Sequence, residues 1–157
     1  MHRDVKPSNL IFVGGVAKLA DIGLVTSVDA TRSFVGTEGY LPPEGAGTPQ
    51  ADLYSLGKVL YEMATGCDRR EFPKLPADIA TRANREALAE LNAIVVRACQ
   101  INPDQRYRSA EEFRADLELL QHGQSVKRKR SFLLRWAACK KVTVPATVLI
   151  AIAAAAA

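Results

Sequence analysis

The first nine residues contain side chains whose types and spacing suit phosphoryl transfer. Asp4 can accept or orient the proton of an attacking hydroxyl, and Lys6 can neutralise charge on the transferred phosphoryl group. Asn9 and, twelve residues further on, Asp21 carry hard oxygen donors of the kind that Mg²⁺ requires. This pattern predicts a site that holds nucleotide-bound magnesium and directs a hydroxyl towards the phosphate.

A short β-hairpin is predicted to position the two metal-binding candidates. Residues 10–13 and 16–20 are apolar runs, and Gly14-Gly15 between them can adopt the positive φ angles of a two-residue hairpin turn. Asn9 precedes the first run and Asp21 follows the second. Because the two strands of a hairpin are antiparallel, we expect these two side chains to lie close together.

Helices dominate the predicted structure downstream of the hairpin. Apolar residues recur at helical spacing from Ala51 to Thr65, and Gly66 follows where a helix C-terminus favours glycine. A second helix is predicted from Arg85 to Cys99, and a third begins at Ser109, which is expected to form a capping box with Glu112. The predicted fold class is therefore mostly α with one small β-hairpin.

Three stretches of the sequence resemble loops of eukaryotic-type protein kinases. His2-Arg3-Asp4 with Lys6 and Asn9 resembles the catalytic loop, and Asp21-Ile22-Gly23 resembles the magnesium-binding loop. Residues 36–44 (GTEGYLPPE) resemble the end of an activation segment. The resemblance implies the helical C-terminal lobe of the kinase fold, with Asp4 and Lys6 as catalytic residues and Asn9 and Asp21 as ligands of ATP-bound Mg²⁺. It also implies that Ser or Thr of a protein substrate accepts the γ-phosphoryl group, because a lysine at position 6 accompanies serine/threonine kinases.

The sequence departs from the family at two positions. Ile22 replaces the usual phenylalanine between aspartate and glycine, which keeps an apolar side chain but loses the ring and has fewer rotamers. Switching of this loop between active and inactive states is therefore expected to differ, whereas metal binding through Asp21 is not. Pro42 stands where the family more often has alanine.

The resemblance also assigns roles to residues outside the catalytic loop. Thr37 is expected to face that loop and to help select serine or threonine, and Glu44 is expected to form a structural ion pair with Arg106. Asp52 is expected to accept hydrogen bonds from the catalytic-loop backbone, although the helix dipole alone also favours an aspartate at a helix N-terminus. His2 is expected to pack as a core histidine and not to act as a general base.

Arg3 and a loop rich in Ser and Thr suggest regulation by phosphorylation. Residues 24–41 show no clear periodicity and are predicted to form a long exposed loop. By resemblance, an arginine directly before the catalytic aspartate accompanies an activation segment that is ordered by phosphorylation. An unmodified, solvated loop is the alternative. The candidate phosphosites are Thr26, Ser27, Thr31 and Ser33.

The chain is short for a complete protein kinase. It has 157 residues, whereas a kinase normally needs about 250 or more, and only Met1 precedes the catalytic loop. We therefore expect the N-terminal lobe, which supplies most of the nucleotide contacts, to be absent. Turnover by the chain alone is expected to be near background, since this chemistry depends on positioning.

Charge divides the sequence into two parts. Residues 1–122 contain 14 Lys/Arg and 17 Asp/Glu, whereas residues 123–157 contain 7 Lys/Arg and no Asp or Glu. A compact basic run beside an apolar segment is typical of a cytoplasmic membrane flank and argues against nucleic acid as a partner. The predicted domains are the kinase C-lobe (1–121), a basic juxtamembrane linker (122–141) and a truncated transmembrane helix (142–157).

These features together predict part of a membrane-anchored bacterial kinase. The uncharged final 16 residues fall short of the about 20 that a spanning helix needs, so a disordered alanine tail is the alternative. The expected parent is a single-pass, receptor-like serine/threonine kinase with its kinase portion in the cytoplasm, and it could dimerise. Its three widely separated cysteines form no metal-ligand pattern and suggest a reducing compartment.

Two other classes of function stay open. The chain could be a non-catalytic module that binds kinases or membranes, although the presence of all four catalytic and metal-binding candidates argues against a parent that had abandoned catalysis. Alternatively, the basic segment 127–141 could bind anionic lipid, with about 1 kcal/mol per cation near the membrane surface.

Overall fold

The computed structural model describes residues 1–20, 36–132 and 134–136. It divides into two compact units, Met1–Gln124 and Ser125–Ala157. In the first unit a two-stranded sheet precedes three main α-helices, so the predicted mostly α class with one small hairpin is confirmed. The boundaries predicted for the three domains stay a prediction.

The hairpin forms as predicted from the paired glycines. Strand β1 (Leu10–Val13) pairs antiparallel with β2 (Val16–Leu19), and Leu10 lies opposite Leu19. Gly14 and Gly15 have φ angles of 58° and 80°, which suit the left-handed turn that joins twisted strands. Most of the hairpin's side chains are exposed, and Phe12 is 70% exposed. Leu10 is partly buried, and it packs against the core cluster that contains Val5 and Tyr40.

Helix α1 (Pro49–Thr65) is the centre of the fold. It begins two residues before the predicted start because Thr48 caps it and Pro49 occupies its first turn. The Thr48 side chain accepts a hydrogen bond from the backbone N–H of Ala51. Gly66 ends the helix in a left-handed conformation with φ 74°. The buried residues of α1 include Leu53, Val59 and Tyr61.

Helices α2 (Arg85–Ala98) and α3 (Ala110–Gln121) also match their predicted positions. Ser109 accepts a hydrogen bond from the Glu112 N–H at 3.3 Å, as the capping box requires. The reciprocal bond differs from the prediction, because the Glu112 carboxylate accepts from the backbone N–H of Arg108 at 2.9 Å. Glu112 also pairs with Arg97 on α2, and this contact links the two helices.

Helices α1 and α2 pack closely against each other. Tyr61 on α1 packs with Val95 and Cys99 in a buried cluster. Gly57 faces the same place, where an added Cβ would lie 2.7 Å from the Cys99 sulfur. Burial raises the pKa of the Cys99 thiol to about 12, so this cysteine stays protonated and contributes to packing.

The second unit contains a short basic helix. Residues 126–132 are helical, and the Ser125 hydroxyl accepts a hydrogen bond from the Arg128 N–H at 3.1 Å. Phe132, Leu134 and Trp136 are exposed by 54% or more. In the part of the chain that the structure describes, no helix is long and apolar enough to cross a membrane. The predicted transmembrane segment, 142–157, lies outside the described residues.

Candidate active site

Three side chains converge on one another at the predicted catalytic loop. The Lys6 ammonium lies 2.7 Å from Oδ2 of Asp4, and the Thr37 hydroxyl donates to Oδ1 of Asp4 at 2.9 Å. Lys6 also donates to the Thr37 hydroxyl oxygen at 3.0 Å, which closes a triangle of contacts. Asp4 is 9% exposed, so its carboxylate is held by defined partners and not by bulk water. Thr37 faces the catalytic loop as predicted, while its role in selecting the acceptor stays a prediction.

Asn9 completes the set of groups around Asp4. A short 3₁₀ turn, Pro7–Asn9, begins with a proline and brings the Asn9 amide back to the loop. The Asn9 side-chain nitrogen donates to the Asp4 carbonyl at 2.8 Å and to its Oδ2 at 3.1 Å. Because both bonds use the nitrogen, the amide oxygen is the atom of Asn9 that could bind a cation.

The hairpin returns the chain to Asn9 at Ala20, the last residue described before position 36. The backbone N–H of Ala20 donates to the Asn9 carbonyl at 2.8 Å, so the end of the hairpin meets its beginning. Asp21, the predicted second ligand of Mg²⁺, lies outside the described residues, as does Ile22. The four candidate phosphosites, at positions 26, 27, 31 and 33, also lie outside them. Among the described residues, no group of three His, Cys, Asp or Glu could hold a metal ion.

The electrostatic surroundings keep Asp4 ionised. Burial raises the pKa of its carboxyl, but hydrogen bonds from Lys6 and Thr37, the charge of Lys6 and the amide of Asn9 together outweigh burial. The net result is a pKa below the ordinary value for aspartate. A buried, ionised carboxylate beside an ammonium group can accept or orient a proton at neutral pH.

Asp52 on α1 holds the start of the catalytic loop. Its carboxylate accepts hydrogen bonds from the backbone N–H groups of His2 at 2.6 Å and Arg3 at 2.8 Å. Arg3 has a φ angle of 72°, which is strained for a residue with a side chain. His2 is buried, and its Nε2 lies 2.9 Å from the Ala20 carbonyl oxygen, which suits a core histidine. The two bonds to Asp52 support the strained backbone that precedes Asp4.

Glu44 and Arg106 meet as the sequence predicted. Arg106 donates from its two terminal nitrogens to the two carboxylate oxygens of Glu44 at 2.5 and 2.9 Å. Burial raises the pKa of Glu44, but the hydrogen bonds and charge of Arg106 lower it by more. This pair lies away from the Asp4 carboxylate in sequence and anchors the end of the segment that contains Thr37.

One group of residues near the site was missed by the sequence analysis. The Tyr40 hydroxyl donates to Glu62 on α1 at 2.5 Å, and the Arg69 side chain contacts both residues. Glu62 carried a weak signal, because Ser55, Lys58 and Glu62 form a polar stripe at helical spacing on α1. Arg69 carried none, since it lies in a connection without periodicity.

The comparison with known proteins agrees with this geometry. Residues 1–129 match the family model described as the protein kinase domain. The chain therefore belongs to the protein kinase family, and the family predicted from its loops is confirmed.

Its relatives among curated proteins include bacterial serine/threonine kinases. The chain is 36% identical to serine/threonine-protein kinase PknB of Mycolicibacterium smegmatis, in an alignment that covers 80% of this chain and 24% of that protein. It is 37% identical to PknB of Mycobacterium leprae, covering 79% of this chain and 23% of the relative. A probable serine/threonine-protein kinase of Streptomyces coelicolor is 34% identical, covering 80% and 22% respectively. The chain thus spans about a quarter of the length of these relatives.

Proposed function

We propose that this chain forms the catalytic-loop half of a serine/threonine kinase that transfers the γ-phosphoryl group of ATP to a protein hydroxyl. The supporting observation is the buried Asp4 carboxylate, which is held by Lys6, Thr37 and Asn9 in one set of contacts. The family match and the kinase relatives support the same reaction. The protein substrate would approach from the side of Thr37.

Each side chain has a separate task in this proposal. Asp4 orients the substrate hydroxyl and receives its proton as the new phosphate ester forms. Lys6 lies next to Asp4 and lowers the cost of negative charge on the transferred phosphoryl group. Thr37 donates to the other carboxylate oxygen of Asp4, Oδ1, and its position suits it to contact the acceptor residue. All three act through placement that exists before substrate binds, which is how this class of reaction is accelerated.

Asn9 and Asp21 would hold Mg²⁺ together with ATP. The donor types fit a hard cation, because the Asn9 amide nitrogen donates to Asp4 and leaves the amide oxygen as a possible ligand, while Asp21 has carboxylate oxygens. When bound, the ion would neutralise charge on the nucleotide's phosphates. Asn9 contributes its own orientation, fixed by its two bonds to Asp4.

The proposal requires a second lobe that grips the nucleotide. The hairpin presents a surface that includes Phe12, which is 70% exposed, and Val16, which is 60% exposed. A patch of such exposed apolar side chains is unusual on a complete folded domain. We propose that a kinase N-terminal lobe covers this surface in the active protein. The chain alone would then show phosphorylation near background.

The decisive experiment compares the chain alone with the chain joined to the N-terminal lobe of a related kinase. ATP-dependent phosphate incorporation into a basic protein should appear only in the joined form. Asp4→Asn in that form should reduce the rate by about 10²- to 10⁴-fold, the usual contribution of a positioned proton acceptor. Asp104→Asn, which changes an exposed aspartate, is the matched control and should leave the rate unchanged. Full activity of the Asp4→Asn variant, or ordinary kinase rates from the chain alone, would contradict the proposal.

Two further proposals concern phosphorylation of the activation segment and attachment of the parent protein to a membrane. We propose that phosphate on one of Thr26, Ser27, Thr31 or Ser33 pairs with Arg3 and orders the activation segment. We also propose that the parent is a single-pass bacterial membrane protein, anchored through 142–157, with a cytoplasmic kinase portion that could dimerise. The mycobacterial relatives support a bacterial kinase. Phosphosite mapping in the parent that found none of these four positions modified would remove the regulatory part.

A second candidate function is binding of anionic lipid by the basic helix. The observation in its favour is the exposure of Phe132, Leu134 and Trp136 beside four consecutive cations, an arrangement that suits a membrane interface. Trp136 is the chain's one tryptophan, so its fluorescence reports this segment directly.

Vesicles separate this candidate from the kinase proposal. Trp136 emission should shift to the blue with phosphatidylglycerol vesicles and not with phosphatidylcholine vesicles, and added salt should reverse the shift. Replacing residues 127–130 by glutamine should remove the shift. Replacing four exposed cations of the first unit by glutamine is the matched control and should not; these are Arg70, Lys74, Arg108 and Arg114. Equal binding to neutral vesicles would exclude the electrostatic interpretation.

A further inference from the structure

A turn next to the catalytic loop is held by an arginine from a different part of the chain. In this turn, residues 37–40, the Tyr40 N–H donates to the Thr37 carbonyl at 3.2 Å. The Arg69 Nε donates to the Glu38 carbonyl at 3.1 Å, and its guanidinium lies 4.4 Å from the centre of the Tyr40 ring. Arg69 therefore contacts both the backbone and the aromatic side chain of the turn.

The backbone at Arg69 is itself fixed to α1. Its N–H donates to Glu62 at 3.1 Å, and its carbonyl accepts a bond from the Lys58 ammonium at 3.1 Å. Lys58 is buried on α1 and also lies over the Phe72 ring, with its nitrogen 4.4 Å from the ring centre. The Asp68 side chain caps the short 3₁₀ turn Arg69–Glu71 by accepting a hydrogen bond from the Arg70 N–H. Arg69 thus projects from a backbone whose donor and acceptor are both used.

The chemistry of the guanidinium suits this position better than an ammonium would. Nε donates to the Glu38 carbonyl, Nη1 contacts the Glu62 carboxylate at 3.4 Å, and the guanidinium lies over the Tyr40 ring. A lysine could keep the charge near Glu62 but could not make all three contacts at once. Gly39 leaves room for the side chain, because a Cβ there would lie 2.7 Å from Arg69 Nε.

The turn is connected to the reacting groups through one residue. Thr37 begins the turn and donates its hydroxyl to Asp4 at 2.9 Å. On the opposite side, the Ser55 hydroxyl donates to the Tyr40 carbonyl at 2.9 Å, so α1 holds the end of the turn. A displacement of Glu38 or Tyr40 would therefore move the hydroxyl that fixes Asp4.

We propose that Arg69 is a positioning residue, which clamps the 37–40 turn to α1 and thereby keeps the Thr37 hydroxyl on Asp4. In the part of the chain that the structure describes, no hydrogen bond or ion pair joins Arg69 to Asp4 or Lys6. Its effect on the rate rests on the proposed function, whereas its effect on the turn does not. The two can therefore be measured separately.

The first measurement uses the 157-residue chain with ¹³C-labelled threonine methyl groups and tyrosine rings. In Arg69→Ala and Arg69→Lys, the NMR signals of the Thr37 methyl and the Tyr40 ring should move. The Tyr107 ring should not move, because it is buried against Phe113 in another part of the fold. Arg70→Ala is the matched control, since the Arg70 side chain is exposed and lies 3.6 Å from the Glu38 carboxylate, which is also exposed.

The outcomes distinguish the proposal from a general loss of structure. Unchanged Thr37 and Tyr40 signals in a folded Arg69→Ala chain would overturn it, as would a Lys variant that reproduces the wild-type signals. If Arg69→Ala does not fold, Arg69→Lys alone decides, because it keeps the charge.

The second measurement uses the chain joined to an N-terminal lobe. Arg69→Ala should lower kcat by about tenfold or more and leave KM for ATP unchanged, as expected for misplaced groups. Equal kcat in both proteins would overturn the catalytic part of the inference. If the wild-type joined protein transfers no phosphate, the proposed function fails, and the NMR result still decides the position of the turn.

Discussion

Arg106 and Glu44, which are 62 residues apart in the sequence, form a bidentate ion pair. The distances from the guanidinium nitrogens Nη1 and Nη2 to the carboxylate oxygens are 2.5 and 2.9 Å. The two partners differ in exposure: the Arg106 side chain is fully buried, whereas that of Glu44 is 29% exposed. Arg106 also donates to the backbone carbonyls of Gln100 and Ile101. The pair therefore joins the segment that follows Thr37 to the connection between α2 and α3.

Because Arg106 is buried, removal of its partner Glu44 is predicted to destabilise the fold. Glu44→Ala leaves the Arg106 charge buried without its partner and should lower the free energy of unfolding by about 3 kcal/mol or more. Chemical denaturation of the 157-residue chain measures this. Phosphoryl transfer should be affected only through loss of folded protein, since neither residue contacts Asp4 in the described structure.

An exposed pair provides the control for this prediction. Arg114 and Glu118 lie one turn apart on α3, with their charged atoms 2.9 Å apart and their side chains 77% and 49% exposed. Removing that pair by Glu118→Ala should cost less than about 0.5 kcal/mol. Similar losses from the two substitutions would show that burial of Arg106 is not what makes the Glu44 pair important.

The packing between α1 and α2 predicts a strong effect at one glycine. A Cβ at Gly57 would lie 2.7 Å from the Cys99 sulfur and 2.9 Å from the Ala98 Cβ. An added methyl group therefore fits only if α1 and α2 move apart. Gly57→Ala should lower the free energy of unfolding by about 1 to 3 kcal/mol, although alanine favours helices more than glycine does. Gly47→Ala is the control, because nothing lies within 4 Å of its added Cβ. A stabilised Gly57→Ala chain would contradict the close approach of the helices.

The regular elements were predictable because their signals are local. Helix α1 has a threonine cap, a proline in its first turn and a glycine at its end, and the hairpin has Gly14-Gly15 between two apolar runs. Helix propensity, capping and turn geometry each act over a few residues, so a sequence records them directly. The catalytic loop was recognised for a different reason: its residues form one contiguous motif.

The network around Arg69 was not predictable in this way. Its members come from the 37–40 turn, α1 and the connection after α1, and the contacts that join the turn to the other two span 22 and 31 residues. Such contacts arise from tertiary packing and leave no pattern in a single sequence. The long-range pair of Glu44 and Arg106 was found only because the family resemblance supplied it.

The hydrogen bond from Tyr40 to Glu62 predicts a distinct pH dependence of stability. Burial, with the hydrogen bond and charge of Glu62, raises the pKa of Tyr40 to about 12, while Arg69 opposes this. An unfolded tyrosine has a pKa of about 10. Because the folded state holds the proton more tightly, this contribution is complete below about pH 10 and is lost as the pH rises towards about 12.

Comparison with Tyr40→Phe isolates that contribution. The difference in unfolding free energy between wild type and Tyr40→Phe should be constant from neutral pH to about pH 10 and should shrink above it. Effects of the other buried tyrosines cancel, because both proteins contain them. A difference that grows with pH would show that Tyr40 is not the donor to Glu62.

Thr37 should set both the rate and the pH profile of the joined kinase. Its hydroxyl helps to lower the pKa of Asp4, so Thr37→Val should raise that pKa. The same substitution removes a hydrogen bond that holds the carboxylate in position. Asp4 must be ionised to receive a proton, so activity falls as the pH drops through its pKa. The acid side of the pH–rate profile should therefore move to higher pH in Thr37→Val, and kcat should fall by about tenfold or more. Thr37→Ser retains the hydroxyl and should keep the wild-type profile, whereas a Val variant with an unshifted acid limb would show that Thr37 does not tune Asp4.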